Sequence, residues 1–162
     1  MKSIEEATRT ATQRAEMYRN AAALIPAAIK VIDQFDGKVY NCRFDKALAA
    51  AAPRLRAEKR YNTLAVYTYP EHNYSRAFTL ADVKFEDMPD GKRISADKLR
   101  ESARAHRENL LRTAYEIETS IETMPQTVAY YQEAVDKMND FLKRIPSEIR
   151  DMYGLPYCIR TW

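Results

Sequence analysis

Residues 61–80 read YNTLAVYTYPEHNYSRAFTL. Upstream of this stretch apolar residues recur every three or four positions; within it they recur every two. Period-two alternation marks half-buried strands, so the stretch predicts one strand over 61–69 and another over 73–80. PEHN lies between them, and Pro70 suits a turn. If Tyr69 pairs with Tyr74, then Tyr67 faces Arg76 and Ala65 faces Phe78. One face of the hairpin then carries Tyr61, Tyr67, Tyr69, Tyr74, Arg76 and Phe78. The other carries Leu64, Val66, Thr68, Ser75, Ala77 and Thr79. Apolar parity shifts again between Leu80 and Val83, which predicts a bulge or turn before a third strand over Val83–Glu86. DMPDGKR, residues 87–93, reads as a loop.

Helical patterns flank this region on both sides. Toward the N-terminus, Ser3 and Glu6 have the spacing of a capping box. A stripe from Ile4 through Ala11, Tyr18 and Ile25 to Ile32 follows at helical spacing. Pro26 is expected to kink that helix, and Gly37 to stop it. A short helix is expected from about Phe44 to Leu55. Toward the C-terminus, Ser95 reads as an N-cap, and Leu99, Ala103, His106 and Leu110 begin a rhythm of threes and fours. The rhythm runs on through Ile121, Val128, Val135 and Leu142 to Ile145, close to a heptad seam. A straight helix over 96–145 would reach roughly 75 Å, whereas a compact chain of this size has a radius of gyration of about 15 Å. A break or sharp kink is therefore expected at Pro125. YGLPYCIRTW, at the C-terminus, is expected to turn at Gly154–Pro156. The fold expected is α+β and mostly helical, with long N- and C-terminal helices packed on a small antiparallel sheet of two to three strands. The 162 residues are expected to form a single domain.

Composition narrows the function. Apolar residues make up 46% and charged residues 30%, an ordinary globular balance, and no apolar run is long enough to span a membrane. The N-terminal MKSIEEATRT lacks the apolar core of a signal peptide. Cys42 and Cys158 are too few for a disulfide scaffold and too far apart for a metal knuckle, so a reduced cytoplasmic setting is expected. The net charge is only +3, but residues 37–62 hold seven Lys/Arg against two acids, a net +5. Such a patch attracts nucleic acid, nucleotides or an acidic partner, and equally suits a solvated face. With three glycines in the chain, phosphate loops of the Rossmann or Walker kind are absent. Eleven tyrosines against five phenylalanines favour half-buried ligand walls and interfaces.

Catalytic templates find no support. His72 and His106 stand in no metal-ligand spacing, and neither cysteine has a local histidine to activate it. Binding templates fit better, because an anionic nucleotide needs a cation for its phosphates and a flat group for its base. The hairpin face supplies Tyr67, Arg76 and Phe78; its rings packed on the helices, with Arg76 reaching outward, is the competing reading. A second crowding of such residues, Lys38, Tyr40, Asn41 and Arg43, follows Gly37 in QFDGKVYNCRFDKAL, residues 34–48. A helix-capping turn is the competing reading there.

That last motif carries a resemblance. A helix, an FDGKVYNKRF-like turn, an antiparallel strand pair and a long helix together resemble the phage Thoeris anti-defence sponges. These are small proteins that sequester immune signals of the cyclic ADP-ribose type. The order of elements spans residues 35–145, and Cys42 stands where the pattern has Lys. The resemblance implies oligomers that hold the signal at subunit interfaces, with a second site for cyclic oligonucleotides in some members. It also implies that basic residues on the turn, the strands and the tail do the holding, here Arg43, Arg76 and Arg160. The expectation is thus a non-enzymatic sponge in the cytoplasm of a bacterial host, without cofactor or metal. Its partners are a cyclic nucleotide and further copies of itself. Lys38, Tyr40, Asn41, Arg43, Tyr67, Arg76, Phe78 and Arg160 form the expected ligand-binding set. The alternative is a protein that blocks a protein or nucleic-acid partner through its basic 37–62 surface.

Overall fold

A computed structural model describes residues 4–35, 42–69, 77–88 and 91–159. The chain is α+β and mostly helical, and its contacts divide it into two compact units, Gln13–Glu116 and Met1–Thr12 with Ile117–Trp162. Two long helices run through both: α1 (Ile4–Ile32) and α3 (Ala96–Arg144). Helix α2 (Cys42–Ala51) and the strands β1 (Leu55–Lys59), β2 (Thr63–Thr68), β3 (Thr79–Lys84), β4 (Glu86–Met88) and β5 (Gly91–Arg93) lie between them in sequence. Helix α4 (Ser147–Tyr153) follows α3.

In the larger unit β1, β2 and β3 form an antiparallel sheet in that order, and β4 pairs with β5 as a separate ribbon. One face of the sheet carries Leu55, Ala57, Leu64, Val66 and Ala81, all buried. They share a core with Ala21, Ala22, Ile25, Ala28 and Ile32 of α1, Phe44 and Leu48 of α2, and Leu99 and Ala103 of α3. Alanine at four of those helix positions leaves no side chain to hold helix and sheet apart. Thr68 is the one buried polar residue recorded; its Oγ1 accepts from the Phe78 N–H at 2.9 Å and its own N–H donates to the Phe78 carbonyl at 2.9 Å.

Several expectations are corrected here. Tyr67 pairs with Thr79, three residues beyond the expected Arg76, and Ala65 pairs with Asp82 instead of Phe78. An odd shift turns every side chain of the second strand to the opposite face. Phe78 therefore joins the core, its ring edge-on to Tyr18 at 5.0 Å between centroids. The expected bulge exists but sits at Leu80, within one continuous strand, where register shifts between Val66 and Tyr67. It lets consecutive Leu80 and Ala81 both be buried. Residues 55–59, LRAEK, were expected at a helix end or beyond it and form β1; α2 stops at Ala51 because Pro53 disfavours helix in the residue before it. The expected loop at 87–93 contains the ribbon in which Met88 pairs with Gly91. Helix α1 ends at Ile32, not at Gly37, with short closing bonds from Gln34 N to Val31 O and Phe35 N to Ile32 O. Ser3 and Gly37 lie outside the described residues.

Ser95 does cap α3, its Oγ accepting from the Lys98 N–H at 3.2 Å. The expected break at Pro125 is absent, since α3 is assigned without interruption across it. Proline removes one N–H from the ladder, and the hydroxyls of Thr123 and Thr127 bond back to Thr119 and Thr123 carbonyls on either side. In the smaller unit α4 closes on Gly154 at φ 63°, with Leu155 N bonded to Arg150 O at 2.9 Å, a Schellman ending. The tail is then clasped to α3, for Asn139 donates to Ile159 O at 3.0 Å and accepts from Ile159 N at 2.6 Å.

Candidate functional site

Strand edges invite further pairing unless something closes them. Here a helix side chain bonds to the backbone on each edge of the sheet. Asp45 of α2 accepts from the Ala57 N–H of β1 at 2.6 Å. Ser102 of α3 accepts from Asp82 N at 3.0 Å and donates to Asp82 O at 3.1 Å on β3. Beside it, His106 Nδ1 lies 2.8 Å from the Ser102 carbonyl. A carbonyl only accepts, so Nδ1 carries the proton. These contacts account for His106 as a structural residue.

With its edges occupied and one face in the core, the sheet has its other face left for chemistry. Alternation along LRAEK turns Arg56 and Glu58 away from the core. Register places Arg56 directly across from Tyr67. The Arg56 guanidinium is 5.3 Å from the ring centroid of Tyr69, a cation–π distance. Its Nη1 donates to the carbonyls of Pro53 at 2.8 Å and Leu55 at 2.7 Å. Its Nε and Nη2 make no hydrogen bond with the described residues. Arg54 and Tyr69 extend the ladder past the strand ends, with Tyr69 N bonded to Arg54 O at 2.5 Å and Arg54 Nε to Tyr69 O at 3.4 Å. At the far end of β1, Arg60 pairs with Glu58 at 3.4 Å.

The electrostatics of Tyr67 report the same cluster. Burial holds its phenol above the ordinary tyrosine value, and the negative charges of Glu58 and Asp45 push it the same way. Arg56 and Arg60 pull it back. A half-buried phenol, an exposed ring and an oriented guanidinium are thus gathered on one sheet face. This set can hold an anionic group against Arg56 and stack a flat ring beside it.

Of the expected site residues, Tyr67 stands in this cluster. Arg43 is exposed on the first turn of α2. Phe78 is spent on the core. Lys38, Tyr40, Asn41, Arg76 and Arg160 lie outside the described residues; Phe35 and Phe44, which bracket residues 36–41, pack ring to ring at 4.8 Å. Arg56 was not among the residues expected at the site. The signal available was the alternation of Leu55 and Ala57 with Arg56 and Glu58, a strand pattern hidden in strong helix formers.

Among the described residues no group of three His, Cys, Asp or Glu is placed to hold a metal ion, and no helix is long and apolar enough to cross a membrane. No protein-family model, curated protein or solved structure matches the chain.

Proposed function

We propose that this chain is a non-enzymatic sponge for a cyclic nucleotide signal of the cyclic ADP-ribose type, working in the cytoplasm of a bacterial host as an anti-defence protein. The observation that supports it most is Arg56: its Nη1 fixed by two carbonyls, its plane near Tyr69, and Tyr67 opposite it in register. A guanidinium oriented in advance loses little freedom on gripping a phosphate, and two neighbouring rings give a base a surface to stack on. The resemblance of residues 35–145 to the Thoeris sponges supports the same ligand class. Recovery of ligand tests the proposal. The protein is incubated with cyclic ADP-ribose, separated by filtration and heat-denatured. A sponge returns the ligand intact from the protein fraction. Release of a changed product would mean an enzyme, and a ligand never retained would exclude capture of this class.

A second reading draws on the same face. Arg54, Arg56, Lys59 and Arg60 concentrate positive charge on β1 and its ends, which suits blocking an acidic protein or a nucleic acid. If the partner is DNA or RNA, binding must weaken steeply with added salt as counterions are released. A duplex-shift assay without binding at low salt removes nucleic acid from that reading.

A further inference from the structure

Ten consecutive residues of α3, 125–134, are exposed. This segment is poorly suited to stand alone as helix. It holds Pro125, the β-branched Thr127 and Val128, and the adjacent rings of Tyr130 and Tyr131, all of low helix propensity. Short helices without packing are marginal in water. Between Glu122 and Asp136 its only charged residue is Glu133. Thr127, Tyr131, Ala134, Met138 and Phe141 follow one another at spacings of four and three, so they share one stripe. Tyr131 is 63% exposed, Met138 47% and Phe141 60%; Tyr130, flanking the stripe, is 70% exposed.

We propose that this stripe is an interface with a second copy of the same chain, the two helices packing antiparallel about Ala134. Three observations favour that occupant. First, the area fits. At 150–250 Å² per aromatic side chain, the exposed parts of Tyr130, Tyr131 and Phe141 come to roughly 300–500 Å². Homodimer interfaces are about 65% apolar and bury about 800 Å² per partner, which asks for roughly 500 Å² of apolar surface. Second, the stripe complements itself. Antiparallel pairing sets Tyr131 against Met138 of the second copy and Thr127 against Phe141, with the small Ala134 where the helices cross. Third, the parallel arrangement would bring Glu133 beside Glu133 and Lys137 beside Lys137, which the antiparallel one avoids. A twofold contact of this kind closes on itself and stops at two chains per interface.

The test uses the full chain. Light scattering at micromolar concentration should give a multiple of 18.8 kDa, and Tyr131→Glu combined with Met138→Glu should halve that mass while circular dichroism stays helical. Cross-linking reads the geometry separately and covers the case in which the double variant does not fold. With Cys42 and Cys158 replaced by Ser, Ala134→Cys should form an intermolecular disulfide under mild oxidation and Phe141→Cys should not. A wild-type mass of one chain overturns the proposal and leaves the stripe to a different protein. An unchanged mass in a folded double variant, or cross-linking through Phe141→Cys but not Ala134→Cys, overturns it as well.

Discussion

Arg56 has one nitrogen committed to the backbone and two facing outward, so it meets a phosphate already aimed. Tyr67, across the strand pair, is the other half of that arrangement, and its phenol is open to a separate measurement. Its folded value lies above the unfolded one, chiefly through burial. The protonated phenol is therefore favoured by folding, and the associated stability is complete below the unfolded value near 10 and lost as pH rises through the folded value. Denaturant titrations above pH 10 should show a shallower loss of stability in Tyr67→Phe than in wild type; equal slopes would place the phenol in water. Tyr67 was legible in the sequence as a candidate, whereas its neighbour Arg56 was not. Strand alternation points side chains to a face, but which residue stands opposite depends on register. A shift from Arg76 to Thr79 at the second strand replaced the expected cluster with another.

At the scale of elements, β1 shows where local preference misleads. Its arginine, glutamate, lysine and alanine are helix formers, and it becomes a strand because β2 pairs with it and Asp45 holds its outer edge. Asp45→Ala leaves the Ala57 N–H without that acceptor and should cost about 1–3 kcal/mol, read as a lower denaturant midpoint at unchanged slope. Asp45→Asn keeps an acceptor oxygen and should lose much less. If both variants match wild type, the edge is held by something else. The long helices were legible from their apolar spacing, and Ser95 from its position before the pattern. The continuity of α3 was not, because a proline in an exposed segment removes one hydrogen bond without breaking a packed face. Pro125→Ala restores the missing N–H at an exposed position, where no packing is lost. Helix propensity alone sets an upper limit of about 3 kcal/mol on the gain. Thermal melting should shift upward; an unchanged or lower midpoint would show that the proline helps to shape α3.

For the whole molecule, the charge is distributed by strand and face more than by net value. A balance of +3 conceals the arginines at 54, 56 and 60, which border Tyr67 and Tyr69. The apolar surface is distributed just as unevenly. It is buried against the sheet in residues 13–116, and exposed along the later turns of α3. Ligand capture and self-association are thus assigned to different surfaces, and each can be removed without the other. Capture is the central claim, and isothermal titration of cyclic ADP-ribose into wild type and Arg56→Ala tests it most directly. Charge-assisted hydrogen bonds of this kind contribute roughly 1.5–3 kcal/mol. The variant should therefore bind about ten- to a hundred-fold more weakly, with its melting temperature unchanged. Equal affinity in a folded Arg56→Ala, or no heat with wild type, would contradict the assignment of this sheet face to the ligand.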